Sequence, residues 1–162
     1  MGDLSPVPNK QEVVQAMFEQ ILPGEVVPFR EFDGIFLLKK QSIKIPGAEH
    51  YGVLVAGEPL RSFGIPSNQP LLIHREVDMR ADWADETGTW KMVEQVPTDQ
   101  TQSVLARARK VFNEPDYHLL TNNCEHTARY IISGEKRSTQ VGWYLGAGLA
   151  VAAVIWLIKR SD

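Results

Sequence analysis

The spacing of apolar positions changes period several times along the chain. Val13, Val14, Met17, Phe18 and Ile21 recur at helical spacing behind Asn9, a candidate cap, and the run stops at Pro23-Gly24, which predicts an N-terminal helical extension over residues 1–22. Short β-like runs follow at Glu25–Phe29, Gly34–Leu38, Ser42–Ile45, Tyr51–Ala56 and Pro70–Ile73, separated by Gly, Pro or polar turns. They predict an antiparallel sheet with hairpin connections. Thr98–Phe112 reads as a helix with Val104, Leu105, Ala108, Val111 and Phe112 on one side; Arg107, Arg109 and Lys110 fall elsewhere, as a solvated face or a contact for anionic lipid headgroups. Residues 78–97, with Trp83, Trp90 and several acids, show no readable period and receive no element.

The pattern breaks most sharply near the end. From Val141 to Ile158 no residue is charged, and Lys159 and Arg160 follow. As a helix this run covers roughly 27 Å, close to the hydrocarbon thickness of a bilayer at about 30 Å. Trp143, Tyr144 and Trp156 stand near its ends, where amphipathic rings favour headgroups, and the run lacks the polar stripe of a core helix. The expectation is a single-pass C-terminal anchor over 141–158, with the remainder facing the cytosol and the endoplasmic reticulum, peroxisome or mitochondrial outer membrane as host. Gly142, Gly146 and Ala150 repeat every four residues and offer a weak pairing face for a homodimer.

Composition narrows the classes. The 162 residues, 43% apolar and 23% charged, suit one modest core and exclude disorder and collagen. A single cysteine excludes an internal disulfide, and no secretory leader pattern stands near Met1, so a reducing compartment is expected. The net charge of −3 gives no electrostatic reason to bind nucleic acid.

Candidate chemistry gathers in Tyr117-His118-Leu119-Leu120-Thr121-Asn122-Asn123-Cys124-Glu125-His126. Asn122 and Glu125 are spaced as a capping box, which would start a helix with Cys124 in its first turn and Gly134 at its end. A first-turn cysteine lies at the positive end of the helix dipole, which favours the nucleophilic thiolate; the bland reading is a small buried hydrophobe. A thiol nucleophile needs a base, and the base needs a group to orient it. His126, two positions from Cys124, points away on a helix, and His118 precedes the helix. His50, opening the run His-Tyr-Gly-Val-Leu-Val-Ala, and His74, after Leu71-Leu72-Ile73, are the candidates for a Cys-His-His arrangement or are ordinary polar strand residues. Nothing has the close ligand spacing of a metal site, and no cofactor is implied.

Asn123-Cys124-Glu125-His126 resembles the Asn-Cys-Glu-His signature of the lecithin retinol acyltransferase-like family, which includes the phospholipase A and acyltransferase group also called HRAS-like suppressors. Tyr117–Asn122 is similar to the family's approach to its cysteine. Ser138-Thr139-Gln140-Val141 resembles the Ser-x-Gln-Val before its hydrophobic tail. Gly24-Glu25-Val26-Val27 resembles its first strand, and His50–Val55 its histidine-bearing strand. The resemblance implies an α+β fold, a permuted papain-like domain with an antiparallel sheet packed on helices, over residues 23–140, plus the C-terminal transmembrane helix. It implies Cys124 as nucleophile, His50 as general base and His74 as the orienting residue. Thr127 replaces the usual aromatic residue, and the 24-residue step from His50 to His74 is about twice the family's, so that Arg61–Gln69 must loop out or Glu76 or a backbone carbonyl must orient His50 instead. The segment between Phe29 and His50 is also long; Phe32 and Ile35–Leu38 there are either a hairpin at the membrane mouth or core. The implied activity is cleavage of a glycerophospholipid acyl ester through a cysteine thioester, with transfer to water or to a lipid amine or hydroxyl. A thiol (iso)peptidase and a non-catalytic membrane adaptor are the alternatives.

Overall fold

A computed structural model of the chain describes residue 20 and residues 25–62, 64–75, 79–84, 86, 88–112 and 123–142. The predicted extension over 1–22, apart from Gln20, lies outside the described residues, as do His118 and the anchor segment beyond Gly142. Among the described residues no helix is long and apolar enough to cross a membrane.

Among the described residues five antiparallel strands form one sheet in the order β4-β3-β2-β1-β5: β1 Gly34–Gln41, β2 Glu49–Ala56, β3 Leu71–Arg75, β4 Met79–Trp83 and β5 Lys91–Gln95. Helix α1 (Glu58–Arg61) lies in the β2–β3 connection, and α2 (Thr101–Val111) and α3 (Cys124–Ser133) follow the sheet. The architecture is α+β with an antiparallel sheet, as expected.

Alternation along the two central strands sorts their side chains into two cores. Ile35, Leu37, Tyr51, Val53 and Val55 face α2 and α3, meeting Val104, Leu105, Ala108 and Val111 of the first and Ala128, Ile131 and Ile132 of the second. Phe36, Leu38, Leu54 and Ala56 face the other way, onto Phe29, Phe32, Leu72 and Trp90. Strands covered on both faces carry unbroken apolar runs, which is why Ile35–Leu38 is so apolar. Phe32 and Ile35–Leu38 are therefore core.

Three element boundaries correct the sequence reading. Glu25–Phe29 forms no strand; Pro28 makes an isolated bridge to Glu86, and Phe29–Glu31 is a 3-10 turn that buries Phe29. Ser42–Ile45 is the turn between β1 and β2, closed by Ser42 N–H to Ala48 O at 2.9 Å and by Ser42 Oγ, which accepts from Ile45 N–H at 3.2 Å. The unassigned stretch 78–97 supplies both edge strands, β4 and β5.

Helix α3 starts one residue later than the capping box predicts. Asn123 is the cap: its Oδ1 accepts from His126 N–H at 3.0 Å, whereas Glu125 turns elsewhere. Gly134, with φ +85°, ends the helix as expected. Its last carbonyls are not left bare. Arg107 of α2 donates from Nε to Ile131 O at 2.8 Å and from its terminal nitrogen to Ile132 O at 2.6 Å. That part of the basic cluster is a helix cap and not a solvated face.

Candidate active site

Strands β2 and β3 pair with Gly52 opposite His74, so His50 and His74 stand on one face of the sheet, the face of Trp90. The long connection of residues 57–70 does loop out between them, through α1. His50 Nε2 lies 3.1 Å from His74 Nδ1, with the rings nearly perpendicular. The rings approach over Gly52 for a physical reason: a Cβ there would lie 3.1 Å from Leu72, 3.2 Å from Trp90 and 3.4 Å from His74. Trp90 forms the floor under His50, with ring centroids 5.6 Å apart, and carries the Lys40 ammonium 4.6 Å from its ring.

A residue the sequence reading missed completes the row. Asp82 Oδ2 on β4 is 2.9 Å from His74 Nε2. Its position follows from register, since Arg80 pairs with His74 and Asp82, two residues on, shares that face as the diagonal neighbour. A carboxylate only accepts hydrogen bonds, so His74 donates to it from Nε2–H. With His74 neutral, its Nδ1 accepts from His50 Nε2–H, which leaves the lone pair of His50 on Nδ1.

Cys124 reaches the same strand from α3. Its Sγ lies 3.8 Å from Glu49 O, one residue before His50. β1 covers one edge of β2 through Gln41 and Glu49, and among the described residues β3 pairs with its other edge from Gly52 to Val55. Gln140 stands at that second edge. Its side-chain amide accepts from Glu49 N–H at 2.7 Å and donates to Glu49 O at 3.0 Å, as a neighbouring strand would.

Burial pushes the Cys124 thiol up from its ordinary range; the backbone amides of Tyr51 and Glu125 oppose this, and the Glu125 carboxylate adds to it. The first-turn amides favour the thiolate, as the helix start implies, but desolvation opposes them as the larger effect, so the thiol needs a base. Glu125 itself has no exposed surface. Burial alone would raise its pKa, yet hydrogen bonds from Ser138, Thr139, Arg129 and the Gln140 amide hold it down to about 2. Its oxygens accept from Ser138 Oγ, from Thr139 N at 3.2 Å and Oγ1 at 2.8 Å, from Gln140 N at 3.2 Å and from Arg129 Nε at 2.9 Å. The residues flanking the cysteine and the first histidine are thus tied to one strap, Ser138–Gln140.

His126 is buried in α3, and burial pushes its pKa down. Glu76, the alternative orienting group, lies outside the described residues. The structure thus brings together the two imidazoles and Asp82, and sets the Cys124 thiol at Glu49, the residue before His50. A histidine pair tied to a carboxylate can hold a proton on an oriented ring.

No curated protein and no solved structure matches the chain. The family model described as lecithin retinol acyltransferase matches residues 40–137, from the end of β1 through β2 and β3 to the helix that carries Cys124. With more than half of its length inside that match, the chain belongs to the lecithin retinol acyltransferase family.

Proposed function

We propose that the chain is a membrane-anchored thiol enzyme that cleaves an acyl ester of a glycerophospholipid and passes the acyl group to water or to a lipid amine or hydroxyl. The observation that carries this reading is the row Asp82–His74–His50, which ends beside the strand edge where Cys124 Sγ meets Glu49 O. Family membership supports acyl transfer as the reaction class. The uncharged run Val141–Ile158 supports a substrate that resides in the bilayer, because anchoring raises the local lipid concentration.

In this mechanism His50 Nδ1 accepts the Cys124 proton as the sulfur attacks the ester carbonyl carbon. His74 steadies the resulting imidazolium, and Asp82 balances its charge through His74. The Asn123 cap uses the His126 amide, and the Cys124 amide at the same helix start donates to the oxyanion as it forms. Collapse breaks the C–O bond, His50 returns its proton to the leaving lysophospholipid oxygen, and an acyl thioester remains on Cys124. An acceptor hydroxyl or amine, deprotonated by His50, then attacks the thioester and regenerates the thiol.

Incubation of the purified chain with phosphatidylcholine should add one acyl mass to the peptide containing Cys124, and Cys124→Ser should lose both lysolipid release and that adduct. Full phospholipid cleavage by Cys124→Ser would end the reading. Cleavage of peptide bonds with no lipid acyl adduct would favour the thiol peptidase.

A further inference from the structure

The turn between β1 and β2 presents apolar side chains to solvent where a folded chain ordinarily hides them. Ile43 is 94% exposed and Ile45 41% exposed, with exposed Lys44 between them. The turn is a built one. Gln41 Nε2 donates to Ala48 O at 2.9 Å, Ala48 N–H to Ile45 O at 3.1 Å, and Gly47 takes φ +79° to turn the chain back. Three lysines, Lys39, Lys40 and Lys44, stand on this hairpin end against one acid, Glu49, which pairs with Lys39 at 2.8 Å. Isoleucines held outward among lysines match an interface of acyl chains beneath anionic headgroups.

Two further placements select a bilayer as the occupant. Gln140 is bonded to Glu49 at the foot of this same hairpin, so the uncharged run starts, at Val141, at the hairpin's end of the sheet. His50 follows Glu49 directly and stands five positions after Ile45, about 17 Å of extended chain at most. We infer that the Ile43–Ile45 turn is a lipid-docking tip that enters an anionic membrane surface and holds the mouth of the Cys124 site against the leaflet from which it draws substrate. The inference rests on the lipid-ester reading only for the purpose the tip serves.

The experiment separates the two. The full chain carrying Cys124→Ser and Ile43→Cys is labelled with nitrobenzoxadiazole and reconstituted in phosphatidylcholine vesicles with and without phosphatidylserine. The label should shift to the blue and be quenched by nitroxide-bearing acyl chains, more strongly with phosphatidylserine. The same label at Asn68→Cys, in the connection at the opposite end of the sheet, should stay unquenched. A label at position 43 that remains in water with both vesicles overturns the inference and assigns the exposed isoleucines to a protein contact. In the catalytically intact chain, Ile43→Ser should raise KM for vesicle phosphatidylcholine roughly tenfold, the affinity carried by one buried isoleucine, and leave cleavage of monomeric short-chain phosphatidylcholine unchanged. Equal losses on both substrates would mark the turn as merely structural and overturn the inference. Quenching at position 43 with no lipid cleavage by the unsubstituted chain would leave the docking tip standing and remove the lipid-ester reading.

Discussion

His74 offers one ring nitrogen to His50 and the other to Asp82, and the carboxylate decides which of them is protonated. Asp82→Asn removes that decision, because a carboxamide donates as readily as it accepts. The expected outcome is a fall in kcat of roughly 10–100-fold with KM unchanged, accompanied by a displaced pH profile, and Asp82→Glu should recover part of the loss. The rate of acyl-thioester formation across pH checks this; an unaltered rate and profile would leave the contact without a role. Cys124, His50 and His74 stand out in the sequence because a lone cysteine beside a helix cap and histidines at the ends of apolar runs are local signals. Asp82 does not. Its meaning depends on the β3–β4 register, and nothing local announces that register.

Strand β4 is exposed along most of its length and β5 along much of it, and a strand with little buried surface carries little alternation to read. The Ser42-Ile43-Lys44-Ile45 stretch misleads in the opposite sense: it alternates as a strand should, but Pro46-Gly47 and the Ser42 side chain close it into a turn. At α3 the true cap, Asn123, stands beside a neighbour of the same type, and spacing alone favours the wrong one. The reason is that Glu125 serves the strap Ser138–Gln140 and not the helix start. That use has a pH signature. With its pKa held near 2 against an ordinary 4.5, Glu125 contributes stability that is complete above about pH 4.5 and is lost as pH falls toward 2, about 3 kcal/mol in all. Urea unfolding of Glu125→Gln should show a shallower acid slope and a loss of similar size at pH 7. Equal slopes in the two proteins would refute the assignment.

On the scale of the molecule, the α+β class, an antiparallel sheet and both helices behind it agree with the sequence reading, and the family match runs from the end of β1 to the end of α3. The proposed anchor predicts a split between substrates. A chain ending at Gly142 keeps every contact described here, so it should cleave monomeric short-chain phosphatidylcholine at the full rate and vesicle lipid at least about tenfold more slowly. Comparable rates on vesicles would remove the anchor from the mechanism.

The strap also fixes where this polypeptide tolerates a cut. The family match stops at Arg137, a natural place to trim, yet four of the five hydrogen bonds on the Glu125 carboxylate come from the next three residues. A chain severed at 137 would leave a negative charge in a dry interior with Arg129 as its surviving donor, and would release Glu49 from Gln140. Tags, fusions and exchanged tails therefore belong after Gly142.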